Sequence, residues 1–307
     1  MIMDQVIANE KRQEARGTTQ AGVRLYNERL VLSLIRLHGA LPKAELAKLT
    51  GLSAQTVSVI VRQLEQDRLL TKGQPQRGKV GQPLVPFTLN PDGAFSIGLK
   101  IGRRSSELVL LDMAGGVCRT ARRTYRYPEP KQVLDFAETA IAEAIAHLKP
   151  AQRKRIAGVG IAAPFELWNW QEEQGAPLGA LDGWRDIDLT ARIAAMSKLP
   201  VYYCNDATAA CAAELLFGKG RIYRNFSYLF VGYFIGGGTV IGGNLFPGRN
   251  GYSGAYGPLP TLTRGGKIEQ MIRHASTYTL ENDLAAEGKD PMLLAQSPDD
   301  WLRPSQR

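Results

Sequence analysis

The chain has 307 residues, 44% apolar and 22% charged, an ordinary globular balance that excludes collagen, intrinsic disorder and a disulfide scaffold. No run of about 18 apolar residues is present, which argues against a membrane-spanning helix and for a soluble protein without a membrane partner. The net charge of +9 is uneven, because residues 1–92 hold 13 Lys/Arg against 8 Asp/Glu, so the basic N-terminal third fits a polyanionic partner.

The length predicts two or three compact units. Cys118, Cys204 and Cys211 are too few and too irregularly spaced for a disulfide framework or a zinc knuckle, so no metal site is expected. The polar N-terminus lacks a hydrophobic signal core, and a cytoplasmic location is expected.

Residues 1–20 read as a flexible arm. Leu25, Leu30, Val31, Leu34, Ile35 and Leu37 recur near the helical period and stop at His38-Gly39. Pro42 suits a helix start, and Ala44, Leu46, Ala47 and Leu49 predict a short second helix ending at Thr50-Gly51. Ser53 is a natural N-cap for a third helix with Val57, Ile60, Val61 and Leu64 on its apolar face. Short strands at Leu69–Thr71 and Leu84–Leu89 flank a Gly, Pro and cation-rich stretch, which predicts a β-hairpin with a basic tip. Asn90-Pro91-Asp92-Gly93 is a turn cluster and the expected domain boundary, giving a head at 21–92 and a body at 93–307.

Three short helices and a basic hairpin form a winged helix-turn-helix pattern, in which Gly51 supplies the positive φ of the turn. The outer face of the third helix carries Ser53, Gln55, Thr56, Ser58, Val59 and Arg62, side chains able to reach base edges and phosphates. Lys43 can touch the backbone, and Lys72, Arg77, Lys79 and Gln82 can lie along a groove. Double-stranded operator DNA is therefore the expected partner; a small dimerisation or docking module with a solvated face is the alternative.

From Phe95 the pattern becomes α/β. Strands are predicted at Phe95–Ile101, Leu108–Asp112, Val117–Tyr125, Ile156–Ala162 and Val201–Cys204, with helices over Lys131–Leu148, Leu189–Met196 and Asp206–Phe217. Strands Phe226–Tyr233 and Thr239–Ile241 are expected on either side of a glycine run, followed by a helix over Ile268–Leu284. Gly98 and Gly102 mark a strand–turn–strand where some nucleotide-binding folds place a phosphate loop, or serve only packing and a turn. Asn205-Asp206 stands at a strand end and a helix start, where Asp206 is either functional or a plain N-cap. Gly236-Gly237-Gly238 would let backbone N–H groups approach an anion, or would form a bulge or hairpin turn.

The segments LPKAELAKLTGLSAQTVSVIVRQLE, LNPDGAFSIGLKIG, GVGIAAP, NDATAA and IGGG together resemble the ROK family of repressors and sugar kinases. The resemblance runs from about Gly17 to Leu284. It implies a winged helix-turn-helix followed by a two-lobed α/β actin-like (ribonuclease-H-like) domain, dimeric or tetrameric. Members with the head are carbohydrate-responsive regulators. By resemblance, Asp206 matches the catalytic base of the kinases, Asn205 a sugar hydroxyl contact, and Gly236, Gly237 and Gly238 the second phosphate loop.

The departures point away from catalysis. The kinases' Asp-x-Gly-x-Thr loop reads Lys100-Ile101-Gly102-Arg103-Arg104 here, and Tyr233-Phe234 replace a Thr-Gly where a phosphate needs room. Gly254-Ala255-Tyr256-Gly257-Pro258 lacks the sugar-binding Glu and zinc-binding His of the family pattern, and the Cys-rich zinc motif is absent. After Leu284 the chain ends sooner than the family pattern implies, so a large lobe truncated at its closing helices is expected. The expected function is a repressor of carbohydrate-related genes without enzymatic activity and without a cofactor. It would sense a small sugar effector through Asn205, Asp206, Gly237 and Gly238, with Trp184 or Trp168 offering a ring face. An ATP-dependent sugar kinase with an appended DNA-binding domain is the alternative.

Overall fold

The structure, a computed structural model, describes residues 19–75, 84–169, 171–172, 175–249, 251, 253–263 and 265–290. It divides into two compact units, residues 1–96 with 111–118 and 148–157, and residues 97–110 with 119–147 and 158–307.

The first unit opens with α1 (Gln20–His38), whose N-cap Thr19 accepts from the Gly22 N–H at 3.2 Å. The helix begins five residues before the predicted Leu25 because the cap sets its start, while Leu25 and Tyr26 remain 54% and 67% exposed and mark no core face. A two-residue strand β1 (Leu41–Pro42) precedes α2 (Lys43–Thr50), which ends at Gly51 with φ 71°. Ser53 then caps α3 (Ala54–Gln66). Strands β2 (Leu70–Lys72) and β3 (Pro86–Leu89) pair antiparallel, and β1 pairs with the other edge of β3. Val31, Ile35, Leu46, Val57 and Val61 are fully buried, and Leu64, Leu70, Phe87 and Leu89 complete the cluster. Val31 and Ile35 of α1 and Val57, Ile60, Val61 and Leu64 of α3 fall at three- and four-residue spacing, and Leu46 of α2 joins their cluster; this shared burial is what allows such short helices to persist in water.

The α/β part is built around β4 (Phe95–Ile101), β5 (Ser105–Asp112), β6 (Val117–Thr124), β7 (Ile156–Ala162) and β8 (Val201–Cys204), one sheet in the order β6-β5-β4-β7-β8. Alternation along β4 buries Phe95, Ile97, Leu99 and Ile101, and β7 pairs parallel with β8. Helix α4 (Pro130–His147) buries Val133, Ala137, Ala140, Ile141 and Ala144 and packs against α6 (Leu189–Ser197). Between them in sequence, α5 (Pro150–Arg153) belongs to the first unit.

After α7 (Asp206–Phe217), β9 (Phe226–Val231), β10 (Ile235–Ile241) and β11 (Asn244–Phe246) form an antiparallel sheet against which α7 packs. Two expectations are corrected here. The glycine run is neither a loop nor a hairpin turn: Gly236, Gly237 and Gly238 lie inside β10, paired with Phe230, Leu229 and Tyr228. A Cβ on Gly238 would stand 2.5 Å from the Cys211 Cβ of α7, and one on Gly237 would meet the Tyr256 ring at 2.3 Å. The glycines therefore admit neighbours on both faces of the strand. The helix expected over Ile268–Leu284 is instead β13 (Ile268–Gln270), paired with β12 (Pro260–Leu262), followed by α8 (Thr277–Ala286). Extended Ser276 separates them, its Oγ accepting from the Ile235 N–H at 3.1 Å. No helix among the described residues is long and apolar enough to cross a membrane.

Candidate nucleic-acid interface and ligand cleft

In the head, Thr50 Oγ1 donates to the Leu46 carbonyl at 2.7 Å, and the Gly51 N–H closes α2 onto the Ala47 carbonyl at 3.0 Å. The chain then re-enters a helix at once. Ser53 Oγ accepts from the Thr56 N–H at 3.1 Å and shares a 2.8 Å hydrogen bond with the Thr56 hydroxyl. Two of the candidate base-contacting hydroxyls are thus engaged with each other in stabilising the start of α3.

Gln55 and Arg62 are exposed, Thr56 and Ser58 half-buried. Val59 on the same helix is 62% exposed. The buried residues of α3 are Val57, Ile60, Val61 and Leu64, so its polar residues form a separate, solvent-facing ridge. Lys43 Nζ lies 5.6 Å from the centre of the Phe87 ring on β3, which draws this cation toward the wing. Arg77, Lys79 and Gln82, the expected wing-tip contacts, lie outside the described residues.

The second unit contains a cleft of about 710 Å³. Its floor includes the β4–β5 turn, where the Gly102 N–H donates to the Ser105 carbonyl at 2.8 Å and the buried Tyr125 hydroxyl donates to the Gly102 carbonyl at 2.7 Å. This turn presents Arg103 and Arg104. The Arg103 guanidinium lies 4.8 Å from the centre of the Phe234 ring, and that of Arg104 lies 4.8 Å from the Tyr233 ring. Tyr233 and Phe234 meet edge to face at 4.9 Å. Glu281 of α8 accepts from Arg104, whose Nε stands 3.1 Å from both carboxylate oxygens. Sequence reasoning noticed the arginines and the rings but missed Glu281, since nothing local links residues 177 positions apart.

Asn205 and Asp206 both line this cleft. The N-cap of α7 is Asn205, whose Oδ1 accepts from the N–H groups of Ala207 and Thr208 at 3.1 and 3.4 Å. Asp206 is therefore not the plain cap; its Oδ1 accepts from the Ala207 N–H at 2.9 Å. Burial pushes the Asp206 carboxyl above the usual carboxylate range, opposed by that N–H and by the charges of Arg103 and Lys100. Gly236 lines the cleft, whereas Gly237 and Gly238 are buried within β10 away from its lining.

Trp184 offers no ring face, because it is buried and its Nε1–H donates to the Pro128 carbonyl at 2.6 Å. Trp168 packs under Arg185. The aromatic rings of the cleft are Phe165, Phe230, Tyr233 and Phe234. Lys100 and Arg122 share Glu107, at 3.4 and 3.8 Å, and this pairing holds the Glu107 carboxyl below its usual range despite burial. Among the described residues no group of three or more His, Cys, Asp or Glu side chains is placed to hold a metal ion.

The sequence profile of the ROK family matches residues 96–267, and that of the MarR family matches residues 26–79. Over 248 residues the chain is 26% identical to the Xylose repressor of Bacillus subtilis (strain 168), an alignment covering 81% of this chain and 64% of that protein. Over 175 residues it is 29% identical to a Glucokinase of Halalkalibacterium halodurans, covering 55% of this chain and 51% of the relative. The chain thus spans less than two thirds of the length of these relatives. The crystal structure of a ROK family transcriptional regulator, a homolog of the E. coli MLC protein, shares the fold with a TM-score of 0.60 at 21% identity, over 86% of this chain and 68% of that one.

Proposed function

The chain belongs to the ROK family, with a MarR-type winged helix preceding its ROK domain, and from that premise we propose that it is a sequence-specific, sugar-responsive transcriptional repressor rather than a kinase. The observation that carries the proposal is α3, a helix capped by Ser53 that buries one apolar face and presents Gln55, Thr56, Ser58, Val59 and Arg62 as a ridge. Such a ridge fits the major groove: Gln55 suits adenine edges, exposed Val59 suits a thymine methyl, and Arg62 suits a phosphate or guanine. Lys43 and the wing residues Arg77, Lys79 and Gln82 would hold the flanking backbone. A homodimer or tetramer would set two heads on a pseudo-palindromic operator in the cytoplasm.

The likeness to a xylose repressor supports a sugar as effector and carbohydrate genes as targets. In this reading the cleft is the sensor: the Asp206 carboxylate accepts hydroxyl protons, and Asn205, whose carbonyl oxygen is committed to the helix cap, donates through its amide. Gly237 and Gly238 support the cleft from within β10 instead of touching the effector. Binding shifts the population of DNA-competent molecules, which requires different affinities for the two states.

Two observations support loss of kinase activity. Lys100 stands where the kinases of the family place an acidic residue, and the Arg103–Phe234 and Arg104–Tyr233 pairs crowd the space for phosphates. Phosphoryl transfer depends almost wholly on positioning and charge stabilisation, so such a change supports a body that does not turn over ATP. Selection of genomic fragments by the purified chain, with and without xylose and glucose, tests the regulator. The proposal expects enrichment of a promoter fragment that a sugar releases. Magnesium-dependent ATP turnover with a hexose, abolished in Asp206→Asn, would overturn it.

A further inference from the structure

Helix α1 runs past the core of the head. Its first buried residue is Val31, and residues 20–30 before it are, at about 1.5 Å per residue, roughly 16 Å of helix without a buried side chain. One face of α1 changes character along this length. At Val31 and Ile35 it is apolar and joins the common cluster; at Gln20, Arg24, Asn27 and Glu28, on the same face at three- and four-residue spacing, it is polar. These four residues, with Val23, line a groove of about 390 Å³ between α1 and α3. The opposite wall includes Gln55, Thr56 and Val59, residues of the DNA-facing ridge itself.

The charged residues of the groove lining pair with each other: Arg24 Nε donates to Glu28 at 2.8 Å, the two side chains being 60% and 18% exposed. The Gln63 amide is spent on both carboxylate oxygens of Asp67, each at 3.1 Å. Gln20, Asn27 and Gln55 make no side-chain hydrogen bond to another described residue, so their amides bring donors to the groove. A helix about 10–12 Å across fills a major groove about 12 Å wide, so an element against the flank of the reading helix meets the sugar–phosphate strand that bounds the groove. Amide N–H groups donate to phosphate oxygens, and exposed Val23 and Val59 offer apolar surface to deoxyribose.

We propose that the α1–α3 groove seats one sugar–phosphate strand of the operator, gripped by the amides of Gln20 and Asn27, with Glu28 holding Arg24 back from that strand. This inference rests on the reading of α3 as the DNA-facing helix. The full chain is titrated by fluorescence anisotropy across a salt series with a duplex of its own promoter region and with a scrambled duplex of equal length. Gln20→Ala/Asn27→Ala weakens binding about five-fold or more on both duplexes, because phosphate contacts carry no sequence information. The salt slope is unchanged, since neutral amides displace no counterions. Glu28→Gln does the reverse: it releases Arg24, strengthens binding about three-fold or more and steepens the slope by about one. A gain in affinity is a readout that damage to the fold cannot produce.

A double variant that binds both duplexes as tightly as the parent overturns the inference, as does a loss confined to the promoter duplex, which would mark a base contact. Glu28→Gln binding no better than the parent overturns the restraint on Arg24. Sedimentation of the same samples covers another occupant: a double variant that falls to a smaller assembly gives the groove to a second copy of the chain and overturns the strand contact. Arg62→Ala separates this inference from the reading beneath it. Binding that weakens in Arg62→Ala but not in the α1 variants leaves the regulator standing and sinks the groove. A parent chain that ignores both duplexes sinks the regulator itself.

Discussion

The Arg104 guanidinium grips the Glu281 carboxylate with Nε 3.1 Å from both oxygens and also donates to the Tyr233 hydroxyl at 3.2 Å. The ion pair joins the β4–β5 turn to α8 and is almost withdrawn from water. Its Coulombic gain is set against the loss of hydration of two ions, so its worth is felt mainly when one partner is removed. Glu281→Ala leaves a buried cation and is expected to cost about 3–5 kcal/mol in denaturant unfolding. Arg104→Leu/Glu281→Leu should recover most of that loss. A single variant as stable as the parent would show that the pair is solvated in solution.

Ser53 holds the first turn of the DNA-facing helix. Replacing it by Ala removes the acceptor for the Thr56 N–H and is expected to cost about 1 kcal/mol of stability. Ser53→Asp keeps the acceptor and adds favourable charge at a helix N-terminus, so it should retain stability while repelling phosphate. Thermal unfolding and DNA binding of the two variants separate the capping role from a contact role.

Arg62 and Gln55 are expected to fail differently. Arg62→Ala should weaken binding across all sequences and lower the salt slope by about 1 if the side chain neutralises a phosphate. Gln55→Ala should change which bases are preferred at one position of the operator, at about 1–3 kcal/mol. Binding-site selection at fixed salt reads both, and an unchanged preference for Gln55→Ala would remove it from base reading.

A Cβ at position 237 would stand 2.0 Å from the Tyr228 carbonyl oxygen, and one at 238 would stand 2.5 Å from the Cys211 Cβ. Gly237→Ala and Gly238→Ala are therefore expected to destabilise by about 1–3 kcal/mol through overpacking. A direct ligand contact predicts the opposite pattern, in which effector binding is lost while the melting temperature holds.

Burial raises the Asp206 carboxyl in the folded chain. The folded state consequently holds its proton more firmly than the unfolded state, and the ionised form opposes folding. This contribution to stability is intact below the unfolded carboxylate range and declines as pH rises through the interval up to the raised folded value. Asp206→Asn should flatten that decline in pH-dependent unfolding and raise stability at neutral pH. A profile identical to the parent's would show that water reaches the carboxylate freely.

Much of this architecture was legible because particular residues punctuate it. Gly51 and Ser53 mark the turn and the entry of α3, the alternation of Phe95, Ile97, Leu99 and Ile101 gives β4, and short runs without charged residues give β7 and β8. The glycine run was not legible as a strand, since three residues without side chains show no alternation. Ile268, Met271 and Ile272 fall at helical spacing, yet β12 pairs with Ile268–Gln270, and a distant partner overrides local pattern. The indole of Trp184 looked available because burial against Pro128 is a tertiary fact. In the cleft, Asn205 and Asp206 were found from their place at a strand–helix junction. Glu281 was not, because only folding brings α8 to Arg104.

The central claim, that α3 reads duplex DNA, is tested most directly by fluorescence anisotropy of the purified chain on its own promoter region across a salt series. The account predicts saturable binding at low ionic strength, a logarithm of affinity that falls linearly with the logarithm of salt, and a weaker, shallower response for Arg62→Ala. Absence of binding at low ionic strength, or binding indifferent to both salt and Arg62→Ala, would contradict it.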